Sequence, residues 1–233
     1  MPRSSGRSPR EAGTPITARS EMSPGPTFER VYHALKEQVM HGRFAPGEHL
    51  EPVAIGRELN ASITPVRDVL HRLVGERLVE APRHDGFRMP SPTEAELRSL
   101  YGWNSELIDI GLRRLRGVAK ARFQSQSYST GVGADSPTAE LFAVIARRSG
   151  NYEHGAAVAN MNDRLAAIRL VEARYFEDFD AELFRMRSLL DEADLGTLRR
   201  AVVAYHRRRQ KHAPELLVLA HSAAQSNFTP TTA

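Results

Sequence analysis

The sequence predicts a mostly α-helical protein of two domains, and three observations carry that expectation. Of its 233 residues, 41% are hydrophobic and 26% charged, an ordinary globular composition large enough for one sizeable core or two small ones. From Phe28 onward, apolar residues recur mainly at spacings of three and four, the period of a helix with one buried face. Apart from a short piece before Pro52, the extended-looking segments lie together at 78–81 and 86–89, with turn chemistry between them.

Composition removes several function classes. The chain contains no cysteine, so disulfides, thiolate metal sites and a cysteine nucleophile are excluded. No apolar run approaches the ~20 residues of a membrane helix, and the N-terminus lacks the apolar stretch of a signal peptide, so the expected location is the cytoplasm, with no membrane partner. The formal net charge is +4 with a pI near 9.7, from 29 Arg and 3 Lys against 28 acidic residues. This suggests a polyanionic partner, but the surplus is not concentrated. Residues 27–90 carry nine charges of each sign, and the excess lies in 1–26 and 91–233.

Residues 1–26, with five Pro, three Gly and five Ser, cannot bury enough surface to offset their ordering entropy and are expected to form a disordered arm. A first helix follows from an N-cap at Thr27, with Phe28, Val31, Leu35 and Val39 on one face, as far as His41-Gly42. Pro46-Gly47 marks a turn, and a second helix fits 52–59 with proline in its first turn. After the turn Asn60-Ala61-Ser62-Ile63, Thr64-Pro65 opens a third helix as N-cap and first position. Val66, Val69, Leu70 and Leu73 form its buried stripe, and Arg67, Asp68, His71 and Arg72 lie on its other faces. Leu78–Ala81 and Gly86–Met89 then form a candidate β-hairpin around Pro82-Arg83-His84-Asp85. Ser91-Pro92-Thr93-Glu94 reads as a capping box that starts a new, wholly helical region. Its helices are expected near 92–122, 137–149, 151–176, 180–193 and 195–223, with a polar loop at 124–136. The domains are therefore 1–26 (arm), 27–90, 91–223 and a loose tail at 224–233.

Helix, helix, turn, helix and hairpin, in that order, describe a winged helix-turn-helix, in which one helix can enter a DNA major groove and the hairpin can reach a neighbouring groove or the backbone. The run Pro46-Gly47-Glu48-His49-Leu50, Leu59 to Leu73 (Leu-Asn-Ala-Ser-Ile-Thr-Pro-Val-Arg-Asp-Val-Leu-His-Arg-Leu) and Arg77-Leu78-Val79-Glu80, followed by Gly86-Phe87, resembles the GntR-family DNA-binding domain over residues 27–90. The helical remainder, with Ser149-Gly150-Asn151 near its middle, resembles the FadR-type C-terminal (FCD) domain in a divergent form. The resemblance implies DNA contacts from Ser62, Thr64 and Arg67, from Arg72 further along the helix, and from His84 and Gly86 at the wing tip. Thr64 can cap the helix as well, and for Arg67 the alternative is a surface salt bridge with Asp68 or Glu58. Two positions depart from the family: Ile63 stands where an arginine is usual, and Val53 where a charged or polar residue is usual. Altered operator specificity is the expected result.

FCD-type domains often hold a metal through an aspartate, a histidine four residues later and two further histidines. Here those positions correspond to Thr138, Phe142, Arg185 or Met186, and His206, so no metal or other cofactor is expected. Family arginine and glutamate positions on the domain's first helix correspond to Asn104 and Ile108. A small-molecule effector, with an organic acid as the class the resemblance suggests, would then be held by polar anchors such as Asn104, Arg113, Arg174 and His206. The basic run Arg199-Arg200 and Arg207 to His212 reads as a solvated helix face beside a buried stripe of Leu198, Ala201, Val202 and Tyr205. The expected protein is a homodimeric transcription regulator, in the family's commoner mode a repressor. The alternative is a DNA-binding dimer with a degenerate, ligand-independent C-terminal domain. An enzyme built on His154, His206 or His212 has no nucleophile motif, HExxH or phosphate loop to support it.

Overall fold

The computed structural model describes residues 25–115 and 136–226. The first 24 residues of the expected arm, the end of the 92–122 helix, all but the last residue of the 124–136 loop and the last seven residues lie outside the described residues, whereas Gly25 and Pro26, counted with the arm, already belong to the start of the first helix.

Three helices build the N-terminal domain: α1 (Pro26–Met40), α2 (Pro52–Glu58) and α3 (Ile63–Gly75). Both α1 and α2 start on proline, whose missing N–H costs nothing in a first turn. The α1 cap is Gly25 rather than Thr27, and the α3 cap position falls on Ser62 rather than Thr64, which lies inside the first turn. Between α2 and α3 the chain turns through Asn60 at φ 48°, and Ala61 N–H donates to the Gly56 carbonyl. A Cβ at Gly56 would stand 2.8 Å from the Ala61 carbonyl oxygen, so this approach admits only glycine. Arg30 ties α1 to the same turn, donating to the carbonyls of Leu59 (2.7 Å) and Asn60 (3.1 Å), which α2 leaves unpaired at its C-terminus. Val31, Leu35, Val66, Val69, Leu70 and Leu73 are completely buried and form this domain's core.

The expected hairpin reduces to two antiparallel bridges among the described residues, Glu80 with Arg88 and His49 with Arg88. Glu80 and Arg88 exchange both backbone hydrogen bonds at 2.9 Å, and Leu50 N–H donates to the Phe87 carbonyl at 2.8 Å. The short piece before Pro52 is thus a third partner of the wing. His84 (φ 63°) and Gly86 (φ 66°) make the tight turn at its tip.

The helical domain contains α4 (Glu94–Leu115), α5 (Pro137–Arg148), α6 (Tyr152–Tyr175), α7 (Phe179–Asp191), α8 (Leu195–Lys211) and α9 (Ala213–Ser226). The capping box of α4 is Thr93 with Glu96, not Ser91 with Glu94. Thr93 N–H donates to the Glu96 carboxylate at 2.7 Å, and Glu96 N–H to the Thr93 hydroxyl at 3.3 Å. The helix expected over 195–223 is broken at His212, because Pro214 has no N–H to donate and its ring clashes with the carbonyl four residues back. The second piece, α9, continues past the boundary drawn at 223. Leu97, Tyr101, Ile108, Phe142, Ile145, Leu165, Leu198 and Tyr205 are among the residues at the centre of the bundle.

The two domains meet where α1 and the end of α3 touch α6. Lys36 Nζ lies 2.8 Å from Asp163, 3.0 Å from Glu76 and 3.1 Å from the Tyr32 hydroxyl, which in turn donates to Glu76 at 2.8 Å. Asn160 of α6 donates to the Glu76 backbone carbonyl at 2.8 Å. Burial opposes the Lys36 charge, but the hydrogen bond and charge of Asp163 outweigh it and hold the Lys36 pKa above its ordinary value. Burial also works against Glu76 ionisation, yet the bonds from Lys36 and Tyr32 hold its pKa below the usual carboxylate range. The α3 C-terminus thus hangs on α6.

Candidate nucleic-acid interface and the polar core of the helical domain

The stripe Val66, Val69, Leu70 and Leu73 faces inward, so α3 turns its opposite side to solvent. Ser62, Thr64 and Arg67 all lie exposed there. Arg67 has no ion pair among the described residues, and Glu58, one partner considered for it, instead accepts from Gln38 at 2.8 Å. His84 and Gly86 are exposed at the wing tip. Arg72 is placed differently: its guanidinium lies 3.7 Å from the Tyr32 ring centre, 3.3 Å from Glu76 and 3.7 Å from Glu29, braced against α1. Sequence reasoning did not single out His71, whose ring meets Phe87 edge-on at 4.9 Å and joins α3 to the base of the wing. Both family departures are surface features: Ile63 is 47% exposed and Val53 44% exposed.

In the helical domain the four expected effector residues do not converge. Asn104 and His206 meet in the core, with the Asn104 side-chain oxygen 3.2 Å from His206 Nε2. Arg113 lies nine positions after Asn104, two and a half turns on and so on the opposite face of α4, where it pairs with Asp109 at the surface. Arg174 is also exposed, five positions beyond the buried Arg169. Neither arginine can serve with Asn104 and His206 in one site.

A different polar set fills the core. Glu172 is fully buried and accepts from the hydroxyls of Tyr101 (2.5 Å) and Tyr205 (2.8 Å) and from Arg209 Nε (3.0 Å). Arg209 also donates to Glu182 at 2.5 Å and lies 3.5 Å from the Tyr205 ring centre. The expected solvated basic face therefore needs correction at Arg209, which is 0% exposed; with Leu198, Val202 and Tyr205 it continues the buried stripe of α8. The neighbouring arginines are at least partly exposed. Arg199 pairs with Asp109, Arg208 reaches Asp178 at 2.6 Å, and Arg199, Arg200 and Arg207 line an open cleft of about 650 Å³ with Gly196, Val203 and Ala204.

Buried His206 approaches the Val202 carbonyl through Nδ1 at 2.7 Å and stacks on Phe142 at 5.4 Å. Burial, with Arg169 and Arg209 nearby, lowers its pKa to about 3. It is neutral at physiological pH, so Nδ1 carries the proton donated to Val202 and Nε2 accepts. The Asn104 amide satisfies Nε2 when it presents its nitrogen, an exchange of oxygen and nitrogen that leaves the side-chain shape unchanged. Thr138 and Phe142 are fully buried beside this cluster, and Met186 is apolar. Of the positions that the resemblance would assign to a metal, Phe142 has no donor atom, and His206 is engaged by Val202 and Asn104. Among the described residues no group of three His, Cys, Asp or Glu side chains is placed to hold a metal. No helix among them is long and apolar enough to cross a membrane.

The His206 environment predicts an acid sensitivity. A histidine near 6.5 in the unfolded chain and near 3 in the folded one takes up its proton on unfolding, so stability is lost as pH falls below about 6.5. Between pH 7 and 5 this one group is expected to remove about 2 kcal/mol. Urea unfolding of wild type and His206→Gln at the two pH values should show a flatter acid limb in the variant, and equal limbs would refute the assignment.

The comparisons with known proteins divide along the same domain boundary. Residues 27–89 match the family model of the bacterial regulatory proteins, gntR family. The chain is 32% identical over 88 residues to the HTH-type transcriptional repressor GlaR of Escherichia coli K12, covering 37% of this chain and 40% of that protein. It is 27% identical over 78 residues to the uncharacterized HTH-type transcriptional regulator YdhC of Bacillus subtilis, covering 34% and 35%. The matched segments thus span well under half the length of these relatives. Among solved structures, a putative GntR transcriptional regulator of Rhodococcus sp. RHA1 superposes over 82% of this chain and 99% of its own, with a TM-score of 0.64 at 14% identity. E. coli McbR/YncC superposes with the same coverage, a TM-score of 0.57 and 16% identity. These two share the fold, a winged helix-turn-helix joined to a helical domain. Residues 27–89 of this chain are thus similar to the gntR-family regulatory domain.

Proposed function

We propose that the protein is a cytoplasmic transcription repressor that binds operator DNA as a homodimer, and that a small molecule in its FCD-like helical domain modulates that binding. The observation that carries the reading is the exposed face of α3 inside a gntR-family domain: Ser62, Thr64 and Arg67 stand clear of the core, and Arg67 has no protein ion partner among the described residues. Hydroxyls at a helix N-terminus donate to phosphate, and an arginine fork pairs with guanine or phosphate. His84 and Gly86 at the wing tip extend the same contact. Arg72, braced on α1, acts in this reading by holding α3 in place. Exposed Ile63 and Val53 offer methyl groups where the family usually offers charge, which suits contact with a thymine methyl better than with guanine or phosphate. Two α3 helices in a dimer would reach successive major grooves ~34 Å apart. The relatives are named as regulators, and the proposed role is not enzymatic.

The test is anisotropy titration of the full chain against the intergenic DNA beside its own gene, at several salt concentrations. Wild type should show sequence-preferring, salt-dependent binding. Arg67→Ala should weaken it by about 1–3 kcal/mol per half-site while leaving the oligomeric state unchanged. No preference for any fragment, or an unaffected Arg67→Ala, would refute the reading.

A further inference from the structure

Between α3 and the wing stands one exposed imidazole that neither the core nor an ion pair uses. We propose that His71 is a DNA contact, whose ring N–H donates to the backbone phosphate that passes between the major groove and the wing. This deepens the proposed function by adding a residue to the α3 surface, and it rests on that reading for the presence of DNA there.

Helical register puts His71 on the reading face. An α-helix turns by about 100° per residue, so Thr64, Arg67 and His71 fall within about 60° of one another on α3, and all three are exposed. Arg72, about 100° further round, faces Tyr32 and Glu29 of α1 instead. Asp68, the acid of this side, falls between Thr64 and Arg72, away from the edge that His71 shares with Arg67. Along the axis, His71 lies about 10 Å beyond Thr64. A recognition helix reads bases from its N-terminal residues, and the major groove is only about 12 Å wide. With Ser62, Thr64 and Arg67 in the groove, the third turn of α3, which His71 opens, stands at the groove wall, where the sugar–phosphate backbone runs.

The wing decides which wall. The His71 and Phe87 rings stand at 75° to one another with centres 4.9 Å apart. Phe87 is 6% exposed and its carbonyl accepts from Leu50 N–H at 2.8 Å, so His71 rests on a fixed base. The strand that runs from the α3 contacts to the wing tip at His84 and Gly86 therefore passes the imidazole. The ring is also chemically free. His71 makes no hydrogen bond or ion pair among the described residues, whereas His154 and His206 have both nitrogens engaged. An imidazole keeps at least one N–H donor in either tautomer, and a hydrogen bond to an ionised phosphate oxygen is stronger than one between neutral groups. Packing on Phe87 limits the ring's freedom before DNA arrives, which lowers the cost of ordering it on binding.

The test is anisotropy titration of the full chain with a duplex that wild type prefers, a non-preferred duplex, and the preferred duplex carrying an uncharged methylphosphonate at one linkage at a time. His71→Phe keeps a ring against Phe87 but has no N–H. It should bind roughly tenfold more weakly per half-site, by the same factor on both sequences, with the wild-type thermal midpoint. His71→Gln, which loses the ring but keeps a donor, should stay within about threefold of wild type. One methylphosphonate per half-site should weaken wild type and leave His71→Phe unaffected; His71→Ala repeats this comparison if phenylalanine disturbs the fold. His71→Phe binding as tightly as wild type, a loss confined to the preferred sequence, or no linkage with that pattern would each overturn the proposal. Wild type that binds no DNA would overturn the proposed function along with it. Weakened binding by Arg67→Ala with none by His71→Phe would overturn the His71 contact alone.

Discussion

An Arg209→Leu variant is expected to lose about 3–5 kcal/mol of stability, because it leaves the Glu172 carboxylate enclosed with only two tyrosine hydroxyls. Both partners are completely buried, so solvent cannot take over the role of the guanidinium. The double variant Arg209→Leu/Glu172→Leu removes both charges and should recover much of the loss. That recovery separates an uncompensated charge from a mere packing defect. Urea unfolding of the three proteins measures both effects; a single-variant loss under about 1 kcal/mol would show that the pair carries no weight. The neighbouring tyrosines belong to the same arrangement. Burial, followed by the charge of Glu172, raises the pKa values of Tyr101 and Tyr205, so both hydroxyls keep the protons they donate.

Leu70→Ala should cost the N-terminal domain about 2–5 kcal/mol, the price of a cavity at a fully enclosed leucine on α3. The core of this domain is separate from that of the helical domain, and the two meet through the polar seam of Lys36, Glu76, Asp163 and Asn160. The expected result is therefore a lowered first transition in thermal unfolding and a loss of DNA binding, with most of the helical signal surviving to the wild-type second transition. A single transition moving as a whole would show that the seam couples the domains more tightly than their separate cores imply.

The N-terminal domain was legible because its signals are local. Proline at two helix starts, the stripe on α3 and the glycine-bearing turn each depend on a few neighbouring residues, and they agree. The wing was legible in position but not in extent. Its segments are so short that only bridge pairs form, and the third partner, around His49, comes from before α2. Arg72 shows the same limit: helix periodicity shows that it is off the buried stripe, but not that Tyr32 and Glu29 of α1 lie there beside Glu76 at the end of α3.

In the helical domain, residue type and spacing disagreed, and spacing was the better guide. Asn162, Arg169 and Glu172 fall on the same face of α6 as Leu165 and Ile168, and Arg209 falls in register with Leu198, Val202 and Tyr205. A polar residue in register with a buried stripe is the signal that could have found this cluster; reading arginines by type alone favoured the exposed Arg113 and Arg174.

The sequence by itself determined the helical class and the gntR-like order of elements, because each is a matter of local spacing and side-chain chemistry. Only the tertiary structure decided that Arg209 is enclosed and satisfied, and that α6 joins this cluster to the end of the recognition helix. Those facts depend on which surfaces of distant helices meet, and burial makes the same guanidinium a solvated charge in one place and the enclosed partner of a carboxylate in another.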